Sequence, residues 1–335
     1  MTEMTDAQRE IERAKPEDTD FRQQRLRAWQ PILTPRWIVI IFVVIGIIFI
    51  PIGAALLVAT ADVVEVETRY DETCGTAPEC TVTVDIPKKM SGPVYFYYKL
   101  TNFFQNHRRY VKSRSDTQLS GDGGSTSSCD PLEDFNAGSG AKTLYPCGLV
   151  ANSYFNDAYV GEYQLMQADG TLAAPVTLSG DNWDQTDIAW KTDIETKYRD
   201  IYAPVTATPL PDDLTRVGPR GQLPYLDDQH LMNWMRTAAL SKFRKLYAVI
   251  DRGFPAGSRL TFNVTNNYDV AGFDGTKSVF LSTVSWAGGK NNFLGWAYIG
   301  VGIACFVLAA AFAIKAAVAP RPLGDLKYFT RPERA

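Results

Sequence analysis

Residues 37–58 read WIVIIFVVIGIIFIPIGAALLV and residues 294–318 read LGWAYIGVGIACFVLAAAFAIKAAV; the reading of these two runs decides the fold. The first carries no charge, and at about 1.5 Å rise per residue it reaches ~33 Å as a helix, enough to cross a hydrocarbon core of about 30 Å. The second carries only Lys315, near its end, where the long stem lets the ammonium reach the interface. Trp37 and Trp296 stand near the ends of the runs, as interfacial aromatics do. Both runs are predicted to be transmembrane helices. A cleaved signal peptide is the alternative for the first, since Ala59-Thr60-Ala61 resembles an A-x-A cleavage site. The long polar lead-in and an apolar run well beyond the about 7–15 residues of a signal-peptide core favour an uncleaved anchor.

The flanks set the orientation. Arg22, Arg25, Arg27 and Arg36 precede the first run, Arg321, Lys327, Arg331 and Arg334 follow the second, and Asp62, Glu65 and Glu67 stand just beyond the first. Basic flanks stay on the cytosolic side. The expected organisation is therefore a cytosolic tail (1–36), a membrane helix (37–58), a lumenal or extracellular domain (59–293), a second membrane helix (294–318) and a cytosolic tail (319–335). Cysteine usage agrees. Cys305 falls inside the second run and reads as a small apolar packing residue, whereas Cys74, Cys80, Cys129 and Cys147 all fall between the runs. Four cysteines in an oxidising compartment read as two disulfides with three possible pairings, of which Cys74–Cys80 with Cys129–Cys147 closes the shortest loops. Zinc is disfavoured, because no CxxC occurs and the only histidines are His107 and His230. Asn263-Val264-Thr265 is the one N-glycosylation sequon and lies on the side where it would be used.

The domain between the runs reads as mostly antiparallel sheet. Residues 64–70 alternate β-branched and charged side chains, residues 81–86 (TVTVDI) do the same, and residues 94–100 (VYFYYKL), 260–264 and 279–284 have strand composition. Residues 121–128 form a Gly/Ser loop, and the prolines of 204–224 predict a long irregular connection. Residues 230–247 (HLMNWMRTAALSKFRKLY) lack Gly and Pro and repeat apolar residues at helical spacing, which predicts one helix. Its Arg236, Lys242, Arg244 and Lys245 would form a solvated face or touch an acidic partner or lipid headgroups. The fold class is thus a membrane protein with two transmembrane α-helices and a large, mostly antiparallel β exoplasmic domain, sandwich-like with a few helices.

Catalytic chemistry finds little support. His107 sits among cations, Asp212-Asp213 and Asp227-Asp228 lie in or beside the proline-rich connection, and no G-x-S-x-G, Walker, H-E-x-x-H or EF-hand pattern occurs. The glycines of 287–292 lack the terminal Lys-Ser/Thr of a phosphate loop. With a formal net charge of −3 there is no general pull toward nucleic acid. The membrane runs contain no ionisable pathway, but Gly46, Gly53, Gly295, Gly300, Gly302 and Ala304 permit close helix approach, to each other or to a partner, and Pro51 should kink the first helix. A two-helix ion-channel subunit with a disulfide-rich exterior shares this topology, yet it would need a polar stripe in its helices.

Four segments between the runs are more specific. Residues 97–113 (YYKLTNFFQNHRRYVKS), 146–157 (PCGLVANSYFND), 234–247 (WMRTAAL followed by FRKLY) and 281–291 (LSTVSWAGGKN) closely resemble signatures of the cell division control protein 50 (ligand-effect modulator) family, as does Leu323-Gly324-Asp325 after the second run. That resemblance implies the β-subunit of a type-IV P-type ATPase, a phospholipid flippase: a subunit without cofactor or reaction of its own. It would bind the α-subunit in a heterodimer and meet membrane lipids. It would also permit exit from the endoplasmic reticulum toward Golgi, endosome or plasma membrane, and support the α-subunit's phosphorylation cycle. The family's two sequential disulfides map onto Cys74–Cys80 and Cys129–Cys147. Within the signature segments, Arg108, Arg109, Tyr110, Trp234, Arg236, Trp286 and Lys290 are the candidate partner-contact residues.

Overall fold

The computed structural model describes residues 15, 17–26, 34–121, 125–136, 138, 140–202 and 209–320. Arg27, the basic residues of 321–334 and the Leu323-Gly324-Asp325 segment lie outside the described residues, as do 122–124 of the Gly/Ser loop and 204–208 of the proline-rich connection. The chain divides into two compact units, residues 1–54 with 295–335 and residues 55–294.

In the first unit the long helices α1 (Pro35–Ala61) and α7 (Asn292–Val318) pack on each other. Both are long and apolar enough to span a membrane. The expected small residues explain the contact: a Cβ on Gly53 would come within 2.7 Å of the Gly295 carbonyl, one on Gly46 within 2.8 Å of the Phe306 ring, and one on Gly302 within 2.7 Å of Ile50. Phe42 stacks with Phe312 and Phe49 tilts against Tyr298. Cys305 and Ala309 are buried, whereas Gly300 faces open space.

The β domain begins with β1 (Glu65–Arg69), the single turn α2 (Asp71–Cys74), β2 (Glu79–Asp85) and β3 (Val94–Leu100). There follow α3 (Arg108–Lys112), α4 (Asp116–Leu119), β4 (Asp134–Asn136), β5 (Ala141–Leu144), α5 (Leu149–Asn152), β6 (Ala158–Gln164) and β7 (Val176–Thr177). The short strands β8 (Leu214–Thr215), β9 (Val217–Gly218) and β10 (Gly221–Gln222) precede α6 (Gln229–Met235), and β11 (Phe243–Ile250), β12 (Arg259–Thr265) and β13 (Lys277–Ser282) complete the domain. Sheet A has the order β1-β13-β3-β11 and sheet B the order β2-β12-β6-β7, all antiparallel. They pack face to face, because alternate residues of each strand point inward: Val94, Phe96, Tyr98 and Leu100 from β3 meet Leu260, Phe262 and Val264 from β12. Phe96 is the hub, with ring centroids 4.8 Å from Phe262 and 5.0 Å from Tyr159. The sandwich expectation therefore holds, and so do the five strand segments read from the sequence, each within about two residues.

Three expectations need correction. Residues 230–247 are not one helix: α6 ends at Met235, Arg236 leaves the helical region (φ −75°, ψ 95°), and residues 243–250 form β11 against β3. The helical spacing of Leu240, Phe243 and Tyr247 is fortuitous. Phe243, Lys245, Ala248 and Ile250 point inward at strand period, with the shift absorbed by a bulge between Leu246 and Ala248, and β pairing overrides local periodicity. Lys245, expected on an exposed face, is instead buried. Its ammonium donates to the carbonyls of Asn233 (2.8 Å) and Arg236, closing the C-terminal end of α6. Burial, and then the charge of Arg236, push its pKa down to about 7. The proline-rich connection, expected to be irregular, carries β8, β9 and β10 in its described part, with β8 adding to a small sheet of order β4-β5-β8.

Candidate partner interface

The signature segment after β3 is a joint between two stretches of chain. Asn102 adopts a left-handed conformation (φ 58°), turning its amide onto the Phe273 carbonyl (2.6 Å). Phe103 then turns inward, within ring-contact distance of Tyr110, Trp234, Phe243 and Phe273. Fully buried Gln105 accepts from the Ala238 N–H (2.8 Å), Asn106 donates to the Ala239 carbonyl (2.8 Å), and the Phe103 N–H donates to the Ser241 carbonyl (3.1 Å). Residues 102–106 are thereby stitched to residues 238–241. Each stretch presents an apolar side chain outward, Phe104 (56% exposed) and Leu240 (71%). Single exposed apolar residues are ordinary, whereas two on adjoining, rigidly bonded segments make this surface the candidate for partner contact.

Cations stand beside it. Arg108 and Arg109 are exposed on α3. Arg236 is partly exposed, ion-paired to Asp193 and seated 4.6 Å over the ring of Trp190, itself 65% exposed. Tyr110 and Trp234 do not belong to this surface. Trp234 is fully buried and donates its indole N–H to the Val150 carbonyl (2.7 Å). Tyr110 turns its hydroxyl inward to Ser153 (2.8 Å), and burial pushes its pKa up to about 12. Both are framework beneath the interface, because an aromatic ring in a signature motif marks a packing site as readily as a contact. Trp286 and Lys290 are exposed on the turn that precedes α7.

Two disulfides and two buried ion pairs brace the β domain elsewhere. Cys74 pairs with Cys80 (Cα–Cα 5.3 Å) and Cys129 with Cys147 (5.7 Å). Lys277 donates to Asp157 (2.7 Å), Asn266 (2.5 Å) and the Tyr268 carbonyl (2.6 Å), beneath the Tyr70–Asp157 hydrogen bond (2.7 Å). Asp200 receives both guanidinium nitrogens of Arg216 (2.8 and 2.9 Å) and the N–H groups of Leu226 (2.8 Å) and Tyr202 (2.9 Å). Burial opposes its charge, yet the Arg216 guanidinium and the two backbone donors prevail and hold the carboxyl below its ordinary range. Of these four charged residues only Asp157 falls in a signature segment of the sequence, because only the fold brings the pairs together. The carboxylate pairs that were singled out serve turns and caps: Asp228 accepts from the N–H groups of His230 (2.7 Å) and Leu231 (3.3 Å) at the start of α6. His107 is exposed at the start of α3. Asn263 is exposed in the middle of β12, its amide oxygen accepting from Thr81 (3.0 Å).

Two helices long and apolar enough to span a membrane, together with a disulfide-bonded β-sandwich, define the class: an integral membrane protein with a folded β domain. Comparison with known proteins sharpens this class. The model of the LEM3 (ligand-effect modulator 3) / CDC50 family matches residues 56–322. The chain belongs to this family. It is 40% identical over 336 residues to ALA-interacting subunit 3 of Arabidopsis thaliana, covering 94% of this chain and 90% of that protein. It is 38% identical to cell cycle control protein 50A of Bos taurus (90% and 88% covered), and 32% identical to the phospholipid-transporting ATPase accessory subunit CRF1 of Saccharomyces cerevisiae (94% and 88%).

Proposed function

We propose that this chain is the non-catalytic accessory subunit of a phospholipid-transporting P-type ATPase, and that ATP hydrolysis and lipid movement reside in the partner. The observation that carries this reading is similarity along about nine-tenths of the chain to proteins named as ATPase accessory and ALA-interacting subunits. The two disulfides favour a β domain on the lumenal or exoplasmic side, with both termini cytosolic, and exposed Asn263 is then open to glycosylation. Phe104 and Leu240, flanked by Arg108, Arg109 and Arg236, form the contact surface: apolar anchors in a cationic rim suit a partner loop with apolar tips and acidic flanks. A subunit of this kind supports folding, export and the phosphorylation cycle by stabilising whichever partner states it contacts best.

Purification of the full chain in mild detergent should recover a P-type ATPase in near one-to-one ratio, able to form an aspartyl-phosphate from ATP. The combined variant Phe104→Ser, Leu240→Ser, Arg109→Glu should lower that recovery at least tenfold while leaving the thermal midpoint of the isolated chain within a few degrees. Recovery of a homo-oligomer alone, or ion conductance by the chain without a partner, would overturn the reading.

A further inference from the structure

The β domain meets its helices through short connections. α1 ends at Ala61 and β1 begins at Glu65, so the chain can separate them by at most about 14 Å. On the return side, β13 ends at Ser282 and α7 begins at Asn292. The two connections are bonded to each other: the Thr283 N–H donates to the Val64 carbonyl (3.0 Å), and the Val64 N–H donates to the Thr283 hydroxyl (3.0 Å). The two connections therefore leave sheet A side by side, at the level of the Glu65–Ser282 pair.

At that level the return connection makes a tight turn. Ser285 and Gly288 exchange backbone hydrogen bonds (2.9 Å each), Gly288 sits at φ 98°, and the Ala287 N–H donates to the Ser285 hydroxyl (3.3 Å). The Arg244 side chain supports the turn from below: it lies beside Gly289 while pairing with Glu65 (3.0 Å) and covering the Phe280 ring at 4.5 Å. The turn throws Trp286 outward at 79% exposure, the most exposed tryptophan among the described residues. Val284 (44%), Phe293 (79%) and Leu294 (43%) are exposed along the same connection, and Lys290 is exposed between them. Four outward apolar side chains on one short, pre-bonded segment would be costly in water, and continuity with a membrane-spanning helix supplies their cover.

We propose that residues 284–294 form an interfacial anchor in the lipid leaflet on the β domain's side. The Trp286 indole lies at the level of phospholipid headgroups with its N–H toward an ester or phosphate oxygen. Phe293 and Leu294 enter the acyl boundary, and the Lys290 ammonium meets headgroup phosphate. The anchor acts on the chain alone, whether or not an ATPase partner is bound.

The test uses the full chain in phosphatidylcholine nanodiscs without partner, with Cys305→Ala and a nitroxide on Trp286→Cys, on Phe293→Cys or, as a water-facing reference, on Asp169→Cys in the exposed β6–β7 connection. The expected result is a ratio of oxygen to nickel-chelate collision rates several-fold higher at 286 and 293 than at 169. Equal ratios at 286 and 169 overturn the anchor, and so does low accessibility of 286 to both reagents, which would mean cover by protein. An arm without labels compares quenching of tryptophan emission by brominated phosphatidylcholine in the unmodified chain and in Trp286→Phe. Loss of a quenched component in the variant supports the anchor, and unchanged quenching overturns it.

Discussion

Sheets A and B are built from ladders and joined by rings, whereas the described residues between 113 and 153 and between 186 and 235 build a second core with little regular pairing. In the sandwich, backbone polar groups are satisfied along strands, and the space between sheets is filled by Phe96, Tyr98, Tyr159, Phe262 and their neighbours. In the lobe, Leu119, Tyr145, Val150, Leu226 and Met232 form the apolar centre, but among the described residues only two-, three- and four-residue strands run past it. Buried side chains do there what ladders do in the sandwich. Gln118 accepts from the Cys147 N–H (2.8 Å) and donates to the Leu144 carbonyl (3.3 Å). Ser113 donates to the Cys129 carbonyl and accepts from the Leu149 N–H (2.9 Å each), and Asn152 donates to the carbonyls of Pro146 (3.1 Å) and Gly148 (2.9 Å). Asp200 with Arg216 ties the far end of the lobe to Leu226. A segment without strands must satisfy its buried backbone by other means, and that makes the lobe sensitive to polar deletions where the sandwich is sensitive to apolar ones.

The largest test of this contrast is Arg216→Met, which leaves the Asp200 carboxylate buried and unpaired and should cost about 3–5 kcal/mol. Hydrogen exchange should show protection lost in β4, β5 and β8 while β3 and β12 keep theirs; Phe96→Ala, of similar cost, should loosen both sheets. Equal loss in β12 and β8 on Arg216→Met would mean one cooperative unit. The cost should also depend on pH. The Asp200 carboxyl is held below its ordinary value, so the stability it contributes is present above pH ~4 and lost as pH falls through the lowered value, where the carboxyl is protonated in both states. The gap in thermal midpoint between the unmodified chain and Arg216→Met should therefore be full at pH 7 and shrink on acidification below about pH 4.

The disulfides sharpen the comparison one step down. Cys129–Cys147 closes a loop of sequence separation 18 inside the lobe, and Cys74–Cys80 one of separation 6 at the edge of sheet B. By loop entropy their removal should cost about 3 and about 2 kcal/mol respectively. Opening the first with paired serines should expose the lobe to protease and leave the sandwich resistant. Opening the second should fray β2 at its Glu79 end, where Val264 pairs with Cys80. A larger loss from the Cys74–Cys80 pair would mean that loop entropy is not what the lobe gains from its bridge.

The same contrast explains what could be read from the sequence. The membrane helices announce themselves by length and apolarity, β1 and β2 by alternation, and β3, β12 and β13 by strand composition, because each is recognisable from its own residues. β6 (AYVGEYQ) escaped because Gly161 interrupts its pattern; the glycine is there because a Cβ would come within 2.8 Å of the Phe262 ring. β11 was hidden within a helical spacing that its partner strand overrides. The lobe was opaque for a different reason: its order depends on pairs such as Asp200 with Arg216, which no local pattern connects. At the candidate interface, Arg108, Arg109 and Arg236 were legible as exposed charges in signature segments. Phe104 and Leu240 were not, because their outward direction follows from the stitching of 102–106 to 238–241.

The smallest expected effect falls on the seam between the two regions. α6 carries Trp234 into the sandwich core and Leu231, Met232 and Met235 into the lobe core, so one short helix has a side in each. It is capped at one end by Asp228 and at the other by the Lys245 ammonium from β11. Asp228→Ala removes only the first cap and should cost about 1 kcal/mol, with Asp228→Asn costing less because the amide oxygen still accepts. The cost itself is ordinary; where it is felt decides the comparison. If α6 is the hinge on which the lobe opens, Asp228→Ala should raise exchange at α6 and β8 and leave the Phe243 end of β11 unchanged, since Lys245 still holds the helix C-terminus to that strand. If exchange rises instead along β11 and β3, the helix belongs energetically to the sandwich. The lobe then hangs from the Asp200–Arg216 pair and its disulfide alone.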